Sequence, residues 1–185
     1  MRRVKQRTDA HCGPAVLEML LSYLDIKVHQ DAIIDAAKVS VKLRIHGMTV
    51  PDMAKAIKLS VPQAQFWYKH RASIADISRL LTKYRYPVGI EWQGLFGKYA
   101  DGEDDGHYGV VIKIDSEQEK IRITDPFFAR DRRINLDRFK DRWWDVNLVV
   151  NSRTKKSRSV KDHQMIFIVT HKKDLFPVEL GMKKG

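Results

Sequence analysis

The sequence predicts an α+β fold in which an N-terminal helical part packs on a mainly antiparallel sheet. Two patterns and one absence lead to it. Residues 1–60 carry apolar side chains at helical spacing, and residues 61–175 carry short β-branched and aromatic runs separated by turn residues. No internal repeat or linker divides the chain, so residues 1–185 read as one domain. With 185 residues, 43% hydrophobic and 31% charged, such a domain can bury a sufficient core without a disulfide or a structural metal.

Taken in order, Val16, Leu17, Leu20, Leu21 and Leu24 recur at helical spacing and predict a helix over 13–24. Pro14 stands near its first position, where the missing N–H costs little. A second helix is expected over 31–37. A third starts at Thr49 as N-cap, with Val50, Met53, Ala54 and Ile57 on one side. Residues 64–68 form a short aromatic strand, and Ser73 caps a helix that turns Ile74, Ile77, Leu80 and Leu81 inward. Strands follow over 87–92, 107–114, 121–125 and 165–170, with a short helix over 136–143 capped by Asn135.

The net charge of +11 is unevenly spread: residues 151–185 hold nine Lys/Arg against three Asp/Glu. The excess centres on 152–161, a segment with one apolar residue that reads as a solvated loop. Charge alone would give this loop a weak, salt-sensitive attraction for nucleic acid or an anionic surface. The basic N-terminus leads into polar residues, unlike a signal peptide, and Glu18 breaks the longest apolar stretch, so no membrane span is expected. A lone cysteine suits a reducing, cytoplasmic compartment. His29, His46, His70, His163 and His171 lack ligand spacing, and neither a metal nor another cofactor is assigned. The acidic run 101–106 lacks calcium-loop spacing and reads as solvated, although it leads directly into His107.

That single cysteine, Cys12, stands where a helix begins. Free N–H groups and the positive end of a helix dipole favour a thiolate over a thiol, and the thiolate is the nucleophile. A nucleophile needs a base, and the base needs a group to orient it. His107 opens one predicted strand and Asp125 ends the next, so a hairpin turning near 116–119 brings them together. They share a face of the sheet only if the connection has an odd number of residues or contains a bulge. Gln6, six residues before the cysteine, could lend a side-chain N–H to the oxyanion beside the backbone N–H of Cys12, and Gly13 leaves room for a substrate carbonyl. His11 reads as a surface residue.

Gln6, the helix start Cys12-Gly13-Pro14-Ala15, the strand His107-Tyr108-Gly109-Val110-Val111 and the pair Asp125-Pro126 occur in that order. Together they resemble the bacteriocin-processing, double-glycine leader peptidases, papain-like cysteine peptidase domains often fused to ABC exporters. The resemblance spans Gln6 to about Val150. It implies a papain-like fold, Cys12 as nucleophile, His107 as base, Asp125 as its orienting acid, Gln6 in the oxyanion hole and a peptide or protein as substrate. Two other readings remain open at this level. One is an acyl transferase using the same residues; the other is a basic binding module for nucleic acid or anionic surfaces.

Overall fold

The computed structural model describes residues 1–94, 106–150 and 157–185. A 3₁₀ turn, Asp9–His11, runs directly into α1 (Cys12–Tyr23), followed by α2 (Gln30–Ala37), α3 (Ser40–His46) and α4 (Val50–Ser60). Then come β1 (Ala64–Lys69), α5 (Ile74–Thr82), β2 (Val88–Gln93), β3 (Gly106–Asp115), β4 (Lys120–Asp125), β5 (Arg130–Asn135) and α6 (Leu136–Asp141). The chain closes with β6 (Trp144–Val150), β7 (Ser157–His163), β8 (Ile166–His171), a 3₁₀ turn at Phe176–Leu180 and β9 (Lys183–Lys184). Seven strands form one antiparallel sheet in the order β5-β4-β3-β2-β8-β1-β9, while β6 and β7 pair as a separate hairpin.

The helix starts follow local chemistry. Thr49 and Ser73 each accept from the backbone N–H three residues on, and Asp52 and Asp76 return the bond, forming two capping boxes. Asn135 accepts from the N–H groups of Asp137 and Arg138 at the start of α6. Lys38, in the left-handed region at φ 59°, ends α2.

Two apolar layers sandwich the sheet. On one face α1, α2 and α4 bury Val16, Leu17, Leu20, Ile33 and Met53 with Phe66, Val110 and Phe167 of the strands. On the other, α5 and α6 bury Ile77, Leu80 and Phe139 with Trp92, Val111 and Ile123. Each such aliphatic or aromatic side chain contributes about 2 kcal/mol by leaving water. Glu18, the polar interruption in the α1 pattern, is buried as well. Its carboxylate accepts from Arg2 at 2.6 Å and from the Gln30 backbone N–H at 3.2 Å, tying the N-terminal segment to α2.

The structure departs from the sequence expectations in several places. Helix α3 and strands β5, β6 and β9 are additions, and α6 stops at Asp141, so Trp143 is buried outside the helix and Trp144 starts β6. The basic segment 152–161 is not wholly loop, because β7 takes it up from Ser157 in register with β6. A polar run such as Arg158-Ser159-Val160-Lys161 can join a two-stranded arm wherever a neighbouring strand supplies the hydrogen-bond ladder. Residues 152–156 and the acidic run 101–105 lie outside the described residues.

Candidate active site

Cys12 is the first residue of α1, and His11 before it, the last of the 3₁₀ turn, lies outside α-helical geometry at φ −95° and ψ 13°. The helix packs its N-terminal part so closely on the segment before α4 that a Cβ on Gly13 would stand 2.9 Å from Met53 Cε and 3.1 Å from Met48 Cβ. Close helix packing therefore gives a second reason for glycine at position 13, beside the space for substrate that the sequence suggested.

His107 and Asp125 come together because of one irregularity. Four residues, 116–119, join β3 to β4 after the Asp115–Lys120 pair. Continued regularly, that register would set Asp125 opposite Val110 and put its side chain on the face away from His107. The pairing instead shifts between Val111 and Lys113, leaving Ile112 as an extra residue. Beyond this bulge Val111 faces Ile123 and Val110 faces Thr124, so Asp125 falls on the face of Gly109 and His107. The imidazole Nε2 then lies 3.0 Å from Asp125 Oδ1.

Asp125 is fully buried, with three donors around it. Besides His107, the Phe127 backbone N–H donates to Oδ1 at 2.9 Å and Arg132 Nη1 donates to Oδ2 at 2.7 Å. Burial pushes the carboxyl up, but His107 and Arg132 outweigh it and hold the group below the usual aspartate value. Arg132 reaches this position from β5, with its guanidinium 5.7 Å from the Trp92 ring and 5.2 Å from that of Phe128.

His107 is also buried. Burial pushes its imidazole down, yet hydrogen bonds and charge from Asp125 and Cys12 more than offset this and raise it to about 9. Cys12 itself is buried, with 7% of its surface exposed.

Gln6 is buried beside the same helix start. Its backbone N–H donates to Pro126 O at 2.9 Å, linking the N-terminal segment to the residue after Asp125. Its side-chain Nε2 donates to Thr8 O at 2.9 Å and Asp9 O at 3.2 Å, while Oε1 has no partner among the described residues. His11 is half-buried at the surface, with Nδ1 2.6 Å from Thr8 Oγ1, and burial followed by the charge of Arg7 lowers its pKa.

Two groups near the site, the half-buried Arg132 and the buried Glu91, carry no signal that sequence reasoning picks out. Glu91 is buried on β2 opposite Tyr108, whose hydroxyl donates to it at 2.7 Å, and desolvation raises its pKa. For Arg132 a hint exists in principle, since a buried carboxylate facing an imidazole calls for further donors. Strand β5, however, reads Arg-Asp-Arg-Arg-Ile-Asn and shows no apolar alternation to place it.

A helical layer packed on an antiparallel sheet, with Cys12 at a helix start and His107 beside Asp125, is the architecture of a papain-like cysteine peptidase fold. A model of the Peptidase_C39 like family matches residues 1–147, and the chain belongs to that family. Among solved structures it is similar to the peptidase domain of Streptococcus ComA, a bi-functional ABC transporter involved in a quorum sensing pathway. The two share 17% identity with a TM-score of 0.58, covering 91% of this chain and 97% of the other. No curated protein matches the sequence. Among the described residues no helix is long and apolar enough to cross a membrane, and no cluster of three metal-ligating side chains occurs.

Proposed function

We propose that the chain hydrolyses a peptide bond through an acyl-enzyme, with Cys12 as nucleophile, His107 as proton carrier and Asp125 as its anchor. The observation that carries this is the buried imidazole, held by Asp125 at 3.0 Å on one nitrogen and raised to about 9 by Asp125 and Cys12 against the effect of burial. His107 is then protonated at neutral pH and stands beside the sulfur, which attacks the scissile carbonyl as thiolate. The imidazolium gives its proton to the departing amine; the imidazole then takes a proton from the water that attacks the thioester. Asp125, fixed by Arg132, keeps Nε2 occupied and Nδ1 aimed at the chemistry throughout.

The developing oxyanion is received by the Cys12 backbone N–H and by Gln6 Nε2, which gives up its longer bond to Asp9 O to do so. The substrate is an extended peptide, as the family implies, and a reducing compartment keeps the thiol available.

The test is cleavage of a library of extended peptides, with Cys12→Ser as control, together with alkylation by iodoacetamide. Wild type is expected to cleave and to be labelled once at Cys12 near neutral pH, with labelling slowed in His107→Ala. Labelling as slow as that of a free thiol, unchanged by His107→Ala, rejects the proposal.

A further inference from the structure

Strands β3, β4 and β5 carry Lys113, Arg122 and Arg133 as successive register partners, so three cations stand side by side on one face of the sheet. The next rung toward the hairpin tip holds Asp115, Lys120 and Asn135. Lys113, Lys120, Arg122 and Arg133 line a concavity of about 160 Å³ together with Asp115 and Gln118.

Like charges directly opposite one another across strands are destabilising, so such a row is not a neutral choice. Local acids cancel it only in part, Asp115 feeling Lys120 as well as Lys113, and Asp131 feeling Arg122 as well as Arg3. Asp115 is engaged by Lys113 at 3.3 Å and by the Gln118 backbone N–H at 3.1 Å. Asp131, the nearest acid on β5 that shares this face, is taken by Arg3 at 3.0 and 2.7 Å and by the Thr124 hydroxyl at 2.9 Å. Among the described residues no carboxylate lies within ion-pair distance of Lys120, Arg122 or Arg133. Protection of a sheet edge against aggregation explains a charge on β5, the outermost strand, but not the continuation of the row onto β4 and β3.

We infer that this concavity binds a phosphate-bearing anion of pyrophosphate type. Two guanidinium forks offer paired N–H donors to phosphate oxygens, and two lysines add point charges, while a single carboxylate ligand would leave the row largely uncompensated. Because His107 opens β3 and Asp125 ends β4, the concavity lies at the opposite end of that hairpin from the thiol. Its occupancy is independent of the catalytic proposal.

The test titrates inorganic pyrophosphate into the full chain and, separately, measures cosedimentation with phosphatidylcholine vesicles with and without phosphatidic acid. Wild type, Arg122→Ser/Arg133→Ser and a control of equal charge loss, Lys172→Ser/Lys173→Ser, are compared. Saturable pyrophosphate binding, at least tenfold weaker in the arginine variant and retained in the control, is expected. Binding to phosphatidic acid vesicles with the same dependence, displaced by pyrophosphate, identifies a lipid phosphate as the source. No binding in either arm, equal weakening in both variants, or binding to a single-stranded RNA without competition by pyrophosphate overturns the inference. Peptide cleavage, or Cys12 alkylation, should be unchanged in the arginine variant, which also reports that it is folded.

Discussion

Arg132 Nη1 lies 2.7 Å from Asp125 Oδ2, while the other carboxylate oxygen serves His107, so one buried acid is held from two sides. Replacing Arg132 by Met keeps most of the stacking bulk over Trp92 and Phe128 but removes the charge. The remaining buried carboxylate loses a partner, at a cost of about 3 kcal/mol. The sign with pH follows from Asp125 being lowered below 3.8 in the folded state. Its stabilisation is present above the unfolded value and lost as pH falls through the folded one. In Arg132→Met the folded value rises, so acid destabilisation begins at higher pH than in wild type. Urea denaturation from about pH 3 to about pH 7 reads out the linked protons directly and checks both the magnitude and the direction. Superimposable pH curves would show that Arg132 does not support the acid.

The raised imidazole makes a second prediction. His107 moves from 6.5 to about 9 on folding, so its contribution to stability is full below the unfolded value and disappears as pH rises through about 9. Activity should fall along the same alkaline limb as the imidazolium is lost. Asp125→Asn removes the largest raising influence, moving both limbs to lower pH and reducing kcat by roughly 100-fold or more. A pH–rate profile and the His107 ring signals in NMR report the two effects separately. An alkaline limb unmoved by Asp125→Asn would mean that another group titrates there.

Helices α4, α5 and α6 are legible in the sequence because single residues announce their starts: Thr49, Ser73 and Asn135 cap where their side-chain oxygens meet free N–H groups. The β5 strand is not, since its side chains are mostly Arg and Asp and its place depends on pairing with β4 rather than on apolar alternation. Likewise β7 takes its ladder from β6, so its basic composition mimics a loop. For the candidate site, residue types and order point to Cys12, His107 and Asp125, and even to the need for a bulge or an odd connection. Which of the two occurs, and the presence of Arg132 beside Asp125, depends on long-range register.

That register can be tested by deletion. Without Ile112 the pair Lys113–Arg122 is followed directly by Val111–Ile123, a regular ladder that still leaves His107 and Asp125 on one face. The expected phenotype is a loss of about 1 kcal/mol from the missing packing of a half-buried side chain. Iodoacetamide labelling of Cys12 should stay close to wild type. A large fall in labelling with the fold intact would show that the bulge aims His107 through its added twist rather than by correcting parity alone.

The contact around Gly13 separates two reasons for a glycine after the nucleophile. If the residue is needed for packing, Gly13→Ala meets Met53 Cε at 2.9 Å and Met48 Cβ at 3.1 Å and destabilises the protein by about 1–2 kcal/mol. The Met53 methyl is the far end of a flexible chain and can move, whereas Met48 Cβ is fixed to its backbone. Met53→Leu removes the terminal methyl, so the cost of Gly13→Ala should be smaller in that background, and a double-mutant cycle should give a favourable coupling between the two sites. If room for a substrate carbonyl is what matters instead, Gly13→Ala leaves thermal stability unchanged and raises KM. Measuring Tm and KM for the four proteins of the cycle decides between these outcomes, and an additive cycle would exclude Met53 as the group that demands glycine.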